Sequence, residues 1–272
     1  MRTDYHLHTS PFSPDATQTI DELCTQAEAW GLSHIAITDH VDLPSHTFGS
    51  DLPFDILDTE AYKASIARAQ AAHPSITILR GVELGYNPGF WDETLRRHGQ
   101  LEPEFVIGSL HLVDGIDPYL PEYYEDKTRQ QAYGLYLERL LSALSPMSTV
   151  CHVLGHLDYV TKFAPYDDPE MRLQDYPDLL DAILAQCIHL GLGLEINTSG
   201  YRRPGCETPL PGLSILRRYR ELGGELLTLG SDAHHAKDVG YRLDDAAALA
   251  QEAGFNHYTV FSTGNPIFVP LR

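Results

Sequence analysis

The chain has 272 residues, of which 43% are hydrophobic, and this length suits one large globular domain spanning residues 1–272. The 38 acidic residues outnumber the 19 basic ones, and the resulting net charge of −19 disfavours binding to nucleic acids and to anionic membranes. No apolar run reaches the about 20 residues of a membrane span and the N-terminus has no signal-peptide pattern, so we expect a cytoplasmic protein.

Short strand-like segments alternate with longer helix-like segments along the whole chain. The predicted strands are residues 2–6, 34–38, 76–83, 105–111, 149–154, 193–197, 225–230 and 258–262. The predicted helices are residues 19–30, 58–72, 126–143, 178–190, 213–222 and 244–252. This alternation indicates parallel βα units, and seven or eight such units favour one closed or distorted α/β barrel over an open sheet. The polar, proline-rich residues 41–55 form either a surface connection or a lid.

The first predicted strand runs into the sequence Asp4-Tyr5-His6-Leu7-His8. Residues i and i+2 of a strand point to the same side, so His6 and His8 direct two imidazoles at one point. Two convergent imidazoles make up half of a typical zinc coordination shell. A His-x-His pair alone is weak evidence, because histidines in ordinary surface or core positions produce the same pattern.

Candidate metal ligands also end or follow several later strands, namely His40, Glu83, His111, His156, Asp232 and His234. Asp15 lies in the loop after the first pair, where it could either reach the same site or initiate the following helix. In a parallel barrel the carboxyl ends of all strands lie on one face, so the complete set would converge there. Six histidines and three carboxylates suit two or three divalent transition metal ions (Zn, Mn or Fe), and Glu83 could bridge two of them. Each residue taken singly could have a structural role, but burying all nine ionisable side chains together without a metal ion would cost a large free energy of desolvation.

Seven short motifs together resemble the PHP (polymerase and histidinol phosphatase) superfamily. They occur in the order found in that family: His6-x-His8, Thr38-Asp39-His40, Gly81-Val82-Glu83, Gly108-Ser109-Leu110-His111, Gly155-His156, Glu195-Ile196-Asn197 and Gly230-Ser231-Asp232-Ala233-His234. The chain length, residues 109–115 and residues 195–202 look most like the histidinol-phosphatase branch. The resemblance implies a distorted (β/α)7 TIM-like barrel with a trinuclear metal centre at the C-terminal ends of its strands.

The resemblance also implies how the ligands would be shared among three metals. The first metal would take His6, His8, Glu83 and Asp232; the second Glu83, His111 and His156; and the third Asp15, His40 and His234. All nine positions carry a residue able to bind metal.

The implied reaction is hydrolysis of a phosphate monoester by a metal-activated hydroxide. We expect Glu83, Asp232 and His234 to be catalytic, with Asp232 or a neighbouring histidine assisting proton transfer. Arg202 is the favoured phosphate clamp because a guanidinium binds phosphate with two donors; Lys162 is a weaker candidate. Side chains after His111 would contact the rest of the substrate, and the candidates are Asp114, Asp117, Tyr119, Tyr123 and Tyr124.

The leading functional hypothesis is a histidinol-phosphatase that hydrolyses L-histidinol phosphate to L-histidinol and phosphate in histidine biosynthesis. A second enzyme hypothesis is a PHP phosphoesterase that acts on a nucleotide, an oligonucleotide end or a phosphotyrosine peptide. A non-enzymatic alternative is a metal-binding regulatory barrel, which would be expected to have lost ligands. The acidic charge and the residues at 195–202 favour a small phosphorylated substrate.

Overall fold

The structure is a computed structural model that describes residues 1–43, 55–56, 58–203, 206–262 and 264–271. Within them the strands are β1 (Thr3–Asp4), β2 (His34–Ile37), β3 (His40–Asp42), β4 (Thr77–Gly85), β5 (Phe105–Ser109), β6 (Val153–Leu154), β7 (Gly193–Asn197), β8 (Leu227–Gly230), β9 (His257–Ser262) and β10 (Asn265–Pro270). The helices are α1 (Ile20–Ala29), α2 (Thr59–Ala72), α3 (Trp91–Leu101), α4 (Arg129–Met147), α5 (Pro177–Leu190), α6 (Leu213–Glu221) and α7 (Leu243–Glu252).

Seven parallel strands form the wall of the barrel in the order β1-β2-β4-β5-β6-β7-β8, and a helix follows each of them. The first and last strands meet through main-chain hydrogen bonds from Tyr5 N to Leu229 O (2.9 Å) and from Asp232 N to His6 O (2.8 Å). A parallel bridge between Leu7 and Ala233 continues this seam. The predicted distorted (β/α)7 TIM-like barrel is therefore confirmed.

Local sequence signals determine where several helices begin and end. Thr19 caps α1 and exchanges hydrogen bonds with Glu22 in a capping box, which satisfies main-chain donors at the helix start. α5 begins with Pro177, a residue suited to the first turn, and ends at Gly191 in the left-handed conformation. The apolar faces of the helices pack on the seven strands of the barrel wall, whose residues are almost all buried. This packing holds the strand ends, and the polar side chains on them, in fixed positions.

Four elements differ from the sequence-based prediction, namely α3, β3, β9 and β10. The pattern did not indicate α3. The short strand β3 begins at His40 and overlaps residues 41–55, which were predicted to be a surface connection or a lid. The last predicted strand, β9, pairs antiparallel with β10 in a separate hairpin instead of joining the barrel. It contacts β8 through side chains, as in the hydrogen bond from Leu227 N to Thr259 Oγ1 (3.0 Å). The suggestion of a lid mostly concerns residues 44–54, which lie outside the described residues.

A membrane-spanning helix needs about 20 mostly apolar residues, and none of the helices in the described ranges meets that requirement.

Candidate metal centre

The predicted ligands converge at one end of the barrel. His6 and His8 follow β1, His40 begins β3 and Glu83 lies in the second half of β4. His111 and His156 each lie two residues beyond the strand that carries them, and Asp232 and His234 follow β8. Asp15 reaches the same place from the loop before α1, with its carboxylate 2.9 Å from His234 Nε2. The structure therefore brings all nine side chains together.

The Glu83 carboxylate is at the centre of the cluster and is buried. Its Oε2 lies 3.2 Å from His6 Nε2 and 3.1 Å from His40 Nδ1. Its Oε1 lies 3.2 Å from His111 Nε2 and 2.9 Å from His156 Nε2. His8 Nε2 also lies 3.6 Å from Oε2, so this carboxylate faces five imidazoles, three on Oε2 and two on Oε1, which suits a bridging ligand.

The Asp232 carboxylate contacts two further histidines of the cluster. Its Oδ1 lies 3.4 Å from His8 Nε2 and 3.5 Å from His234 Nδ1. Its Oδ2 accepts a hydrogen bond from Lys162 Nζ at 2.8 Å. This carboxylate therefore connects the two histidines to the nearest cation of the site.

The donor atoms suit divalent transition metals. Four sets of three side chains have ligand atoms within 4.8 Å of one another: His8, His40 and His234; His6, His8 and Asp232; His6, Glu83 and His156; and His40, Asp42 and His111. In the described part of the chain, His6 Nε2, His8 Nε2 and Glu83 Oε2 are buried without a hydrogen-bond partner. Buried polar atoms are rarely left unpaired, and mixed imidazole and carboxylate donors match zinc, iron or manganese.

Electrostatics in the cluster favour ionised carboxylates. Burial lowers the pKa of His6, His40 and His111, but the carboxylates that face them outweigh it and hold the pKa of these imidazoles well above the ordinary value. Burial raises the pKa of Glu83, but the surrounding imidazoles, beginning with His6 and His111, outweigh it and hold that pKa well below its ordinary value. Burial also raises the pKa of Asp232, but the charges of Lys162 and His6 outweigh burial and hold that pKa well below its ordinary value. For His8, burial and the nearby His234 hold the pKa well below the ordinary value. The carboxylates are therefore ionised and the His8 imidazole is neutral.

Polar partners outside the cluster orient the histidine rings. His6 Nδ1 lies 2.7 Å from Glu195 Oε1, and His111 Nδ1 lies 2.8 Å from Asp42 Oδ1. In both rings this contact leaves Nε2 pointing at Glu83. Such contacts select the tautomer of a metal-binding histidine and fix its ring.

Sequence reasoning missed the role of Asp42 and did not assign one to Glu195. Glu195 belongs to a motif that marked the family resemblance, whereas Asp42 lay in a segment predicted to be a loop. The available signal for Asp42 was its spacing, because residues i and i+2 of a strand share a face and β3 also carries His40.

Gly230, the last residue of β8, permits this packing. A Cβ at that position would collide with Glu195 Oε1 and would lie 2.5 Å from Cβ of His6. We expect Gly230→Ala to displace Glu195 or the His6 ring and to weaken zinc binding about tenfold or more. Zinc retention during dialysis against a graded chelator, together with thermal unfolding, checks this prediction. Gly99→Ala is the matched control because a Cβ there meets nothing within 4 Å. Equal zinc retention in the two variants would contradict the prediction.

A cavity of about 290 Å³ opens directly above the cluster. Of the residues predicted to bind substrate, Lys162 and Tyr119 line it. Asp117 lines it too, and its Oδ1 accepts hydrogen bonds from Tyr119 N (2.6 Å) and from the Tyr159 hydroxyl (3.2 Å). The exposed ring of Phe163 packs edge-on against that of Tyr119, with 4.7 Å between their centroids. The cavity thus combines a cation, a carboxylate and an aromatic wall.

Four other predicted substrate contacts are not part of the lining of this cavity. Asp114 forms a two-point ion pair with Arg139 (2.7 and 2.9 Å) and lines a different cavity. Arg202 donates hydrogen bonds to the main-chain carbonyls of Ser231 and Asp232, both at 2.8 Å. Tyr123 and Tyr124 are buried, and their hydroxyls donate to main-chain carbonyls. Asp114 therefore pairs with Arg139 of α4, and Arg202 lies against the loop after β8 that carries Asp232; their contacts with substrate stay predictions.

Comparison with known proteins agrees with this geometry. The family model described as "PHP domain" matches residues 4–199. The histidinol-phosphatase of Lactococcus lactis is 32% identical over 96% of this chain and 94% of its own, and a probable histidinol-phosphatase of Clostridium acetobutylicum is 30% identical over 92% and 93%. A crystal structure of the L. lactis histidinol phosphate phosphatase, complexed with zinc, L-histidinol and phosphate, superposes with a TM-score of 0.89 at 30% identity and covers 98% of both chains. The chain therefore belongs to the PHP domain family.

Proposed function

We propose that this protein is a metal-dependent phosphomonoesterase that hydrolyses L-histidinol phosphate to L-histidinol and phosphate, a step of histidine biosynthesis. The observation that carries the proposal is the set of nine convergent ligand side chains beneath a cavity of about 290 Å³. The similarity over 98% of both chains to a phosphatase complexed with zinc, L-histidinol and phosphate supports the same substrate.

The cluster would hold two or three divalent transition metal ions, which we propose to be zinc, manganese or iron. The ligand sets are His6, His8, Glu83 and Asp232; Glu83, His111 and His156; and Asp15, His40 and His234. The contacts of Glu83 with imidazoles on both of its oxygens support its place in two sets. When bound, such ions lower the pKa of water and neutralise phosphate oxygens.

Lys162 is the cation that would contact the phosphate. Its Nζ lies in the cavity wall, 2.8 Å from Asp232 Oδ2, so it is next to the metal ligands without being one of them. A positive charge is needed there because the protein as a whole carries a net charge of −19 and repels anions. The low-dielectric cavity strengthens the attraction between Lys162 and a bound phosphate.

The three proposed catalytic residues would have different tasks. Glu83 and Asp232 are held ionised, which suits ligation and charge stabilisation and makes both of them poor proton donors. His234 lies at the cavity mouth, partly exposed, with its Nε2 beside the Asp15 carboxylate. We therefore propose that His234 acts as a ligand at the cavity mouth, because its Nε2 faces Asp15 and its Nδ1 faces the Asp232 carbonyl, which leaves neither ring nitrogen free to transfer a proton.

The organic part of the substrate would occupy the outer cavity. Asp117 is buried there, and burial raises the pKa of its carboxyl to about 6, so it remains largely ionised at neutral pH. It would bind the ammonium group of the amino alcohol in place of Asp114. The rings of Tyr119 and Phe163 form an apolar wall against which an imidazole can stack.

Steady-state phosphate release tests the proposal. Purified protein is stripped with a chelator, reloaded with Zn²⁺, Mn²⁺ or Fe²⁺, and assayed with L-histidinol phosphate, nucleoside monophosphates, a phosphotyrosine peptide and p-nitrophenyl phosphate. We expect the stripped protein to be inactive and kcat/KM to favour L-histidinol phosphate about 100-fold or more. Equal rates on all esters would favour a general PHP phosphoesterase, and metal binding without hydrolysis would favour the regulatory barrel.

A further inference from the structure

The Asp39 carboxylate is bound on three sides by the loop between β1 and α1. Asp39 lies between β2 and β3, is buried, and directly precedes the proposed ligand His40. Its Oδ1 accepts hydrogen bonds from Thr9 N and from Ser13 Oγ, both at 2.6 Å. Its Oδ2 accepts a hydrogen bond from Thr9 Oγ1 at 2.7 Å. One buried carboxylate therefore holds both the main chain and two hydroxyls of this loop.

The hydroxyl of Ser13 connects this carboxylate to two of the proposed ligands. Ser13 is buried, and its Oγ accepts a hydrogen bond from His40 N at 3.2 Å and lies 3.3 Å from His8 Nδ1. A hydroxyl has one proton to donate and two lone pairs that accept. Because Ser13 donates its proton to Asp39, it makes the other two contacts through its lone pairs. The proton in the contact with His8 therefore belongs to the imidazole.

A proton on Nδ1 determines which nitrogen of His8 can bind metal. A neutral imidazole carries one proton, so Nε2 keeps a free lone pair. His8 Nε2 lies 3.4 Å from Asp232 Oδ1 and 3.6 Å from Glu83 Oε2, which places this lone pair among the ligands of the first proposed metal. Asp39 thus selects the metal-binding tautomer of His8 through the Ser13 hydroxyl.

The same hydrogen bonds hold the loop that delivers Asp15. Ser13 N donates to Thr9 O at 2.8 Å, and Ala16 N donates to Ser13 O at 3.1 Å, so the loop forms two consecutive turns. Asp39 binds the residues at both ends of the first turn. The second turn places the Asp15 carboxylate in the cluster. Loss of the Asp39 contacts would therefore free the support on which the second turn is built.

We propose that Asp39 is a positioning residue that acts through Ser13 on the tautomer of His8 and on the loop before α1. This inference rests on the proposed metal-dependent function. The property that matters is the geometry of the carboxylate as an acceptor, because Oδ1 takes both the Ser13 hydroxyl and a main-chain N–H. An asparagine keeps that geometry: its amide oxygen replaces Oδ1, and its NH2 group can donate to the Thr9 hydroxyl.

The experiment compares Ser13→Ala, Asp39→Ala and Asp39→Asn with the wild type and with Ser33→Ala. Ser33→Ala is the matched control because Ser33 Oγ also contacts an imidazole, 3.1 Å from His34 Nδ1, but at the amino end of β2, whereas the cluster lies at the carboxyl ends of the strands. Zinc affinity is measured by competition with a chelator, and folding is checked by thermal unfolding. KM and kcat are measured with L-histidinol phosphate at saturating zinc.

A positioning role predicts that Ser13→Ala and Asp39→Ala bind zinc about tenfold more weakly or worse, as is found when outer partners of metal ligands are removed. Asp39→Asn stays close to wild type because it keeps the acceptor for the Ser13 hydroxyl, and Ser33→Ala matches wild type. In the two weakened variants kcat falls while KM changes little, since neither side chain is among the described residues that line the cavity. If Asp39→Ala does not fold, Ser13→Ala and Asp39→Asn carry the test.

Either of two results would overturn the inference. Equal zinc affinity in Ser13→Ala and Ser33→Ala would show that the Ser13 hydroxyl does not act on the ligands. An Asp39→Asn variant as weak as Asp39→Ala would show that the charge of the carboxylate acts, and not its hydrogen bonds to the loop. Zinc affinity does not depend on which ester is hydrolysed, so a failure of the proposed substrate would appear in the wild-type kinetics and would leave this comparison interpretable.

Discussion

Replacing Glu83 by glutamine is expected to reduce kcat/KM for L-histidinol phosphate about 1000-fold or more, because a bound metal contributes several kcal/mol to transition-state stabilisation. The Glu83 carboxylate faces His6, His40, His111 and His156, so the neutral amide would remove the charge that holds the centre together. The amide would also direct an N–H group at some of these imidazoles. The loss of zinc per chain, measured by elemental analysis, is expected to accompany the loss of activity.

Glu138→Gln is the matched control for this prediction. Glu138 lies on the exposed side of α4 and is not part of the cavity lining. Its replacement also exchanges a carboxylate for an amide, as in Glu83→Gln. Its activity and zinc content should match those of the wild type. A Glu83→Gln variant that keeps both its full zinc content and its activity would refute the bridging role.

Replacing Lys162 by methionine is expected to lower kcat/KM about 100-fold, the typical loss when one preorganised charged or hydrogen-bonding group is removed. Lys162 would contribute the positive charge beside the phosphate, and methionine keeps most of the length of the side chain without its charge. Inhibition by inorganic phosphate should weaken in parallel when both are measured at saturating zinc, which separates phosphate binding from the loss of the contact between Lys162 and Asp232. Steady-state kinetics with phosphate as a competitive inhibitor measure both effects.

Two further variants define the charge requirement at this position. Lys162→Arg keeps the cation and should recover most of the phosphate inhibition. Lys237→Met removes an exposed lysine from the turn that follows His234 and should leave the kinetics unchanged. If Lys162→Met bound phosphate as tightly as the wild type, another group would have to carry the phosphate subsite.

Much of the architecture could be predicted from the residue pattern. Buried strands such as β7, Gly193–Asn197, were predicted with the observed bounds, because a short apolar run between helical segments has few other conformations. The barrel followed from the regular alternation of strands and helices. α3 was missed because its mean hydropathy is low and its buried residues, Trp91, Thr94 and Leu101, are few. The hairpin of β9 and β10 was missed because antiparallel pairing depends on a partner strand that was not predicted.

The sequence by itself determined which residues could bind metal and that they would meet. His6, His8, Glu83 and Asp232 lie on or just after strands, and a parallel barrel places all carboxyl ends of strands on one face. The tertiary structure alone decided which side chains orient those ligands and which contact the cavity. Asp42 reaches His111 across 69 positions of sequence and Arg202 reaches the Asp232 carbonyl across 30, so neither contact has a local signal. Spacing along the chain sets the face on which a side chain lies, whereas its partner depends on how the loops after different strands pack together.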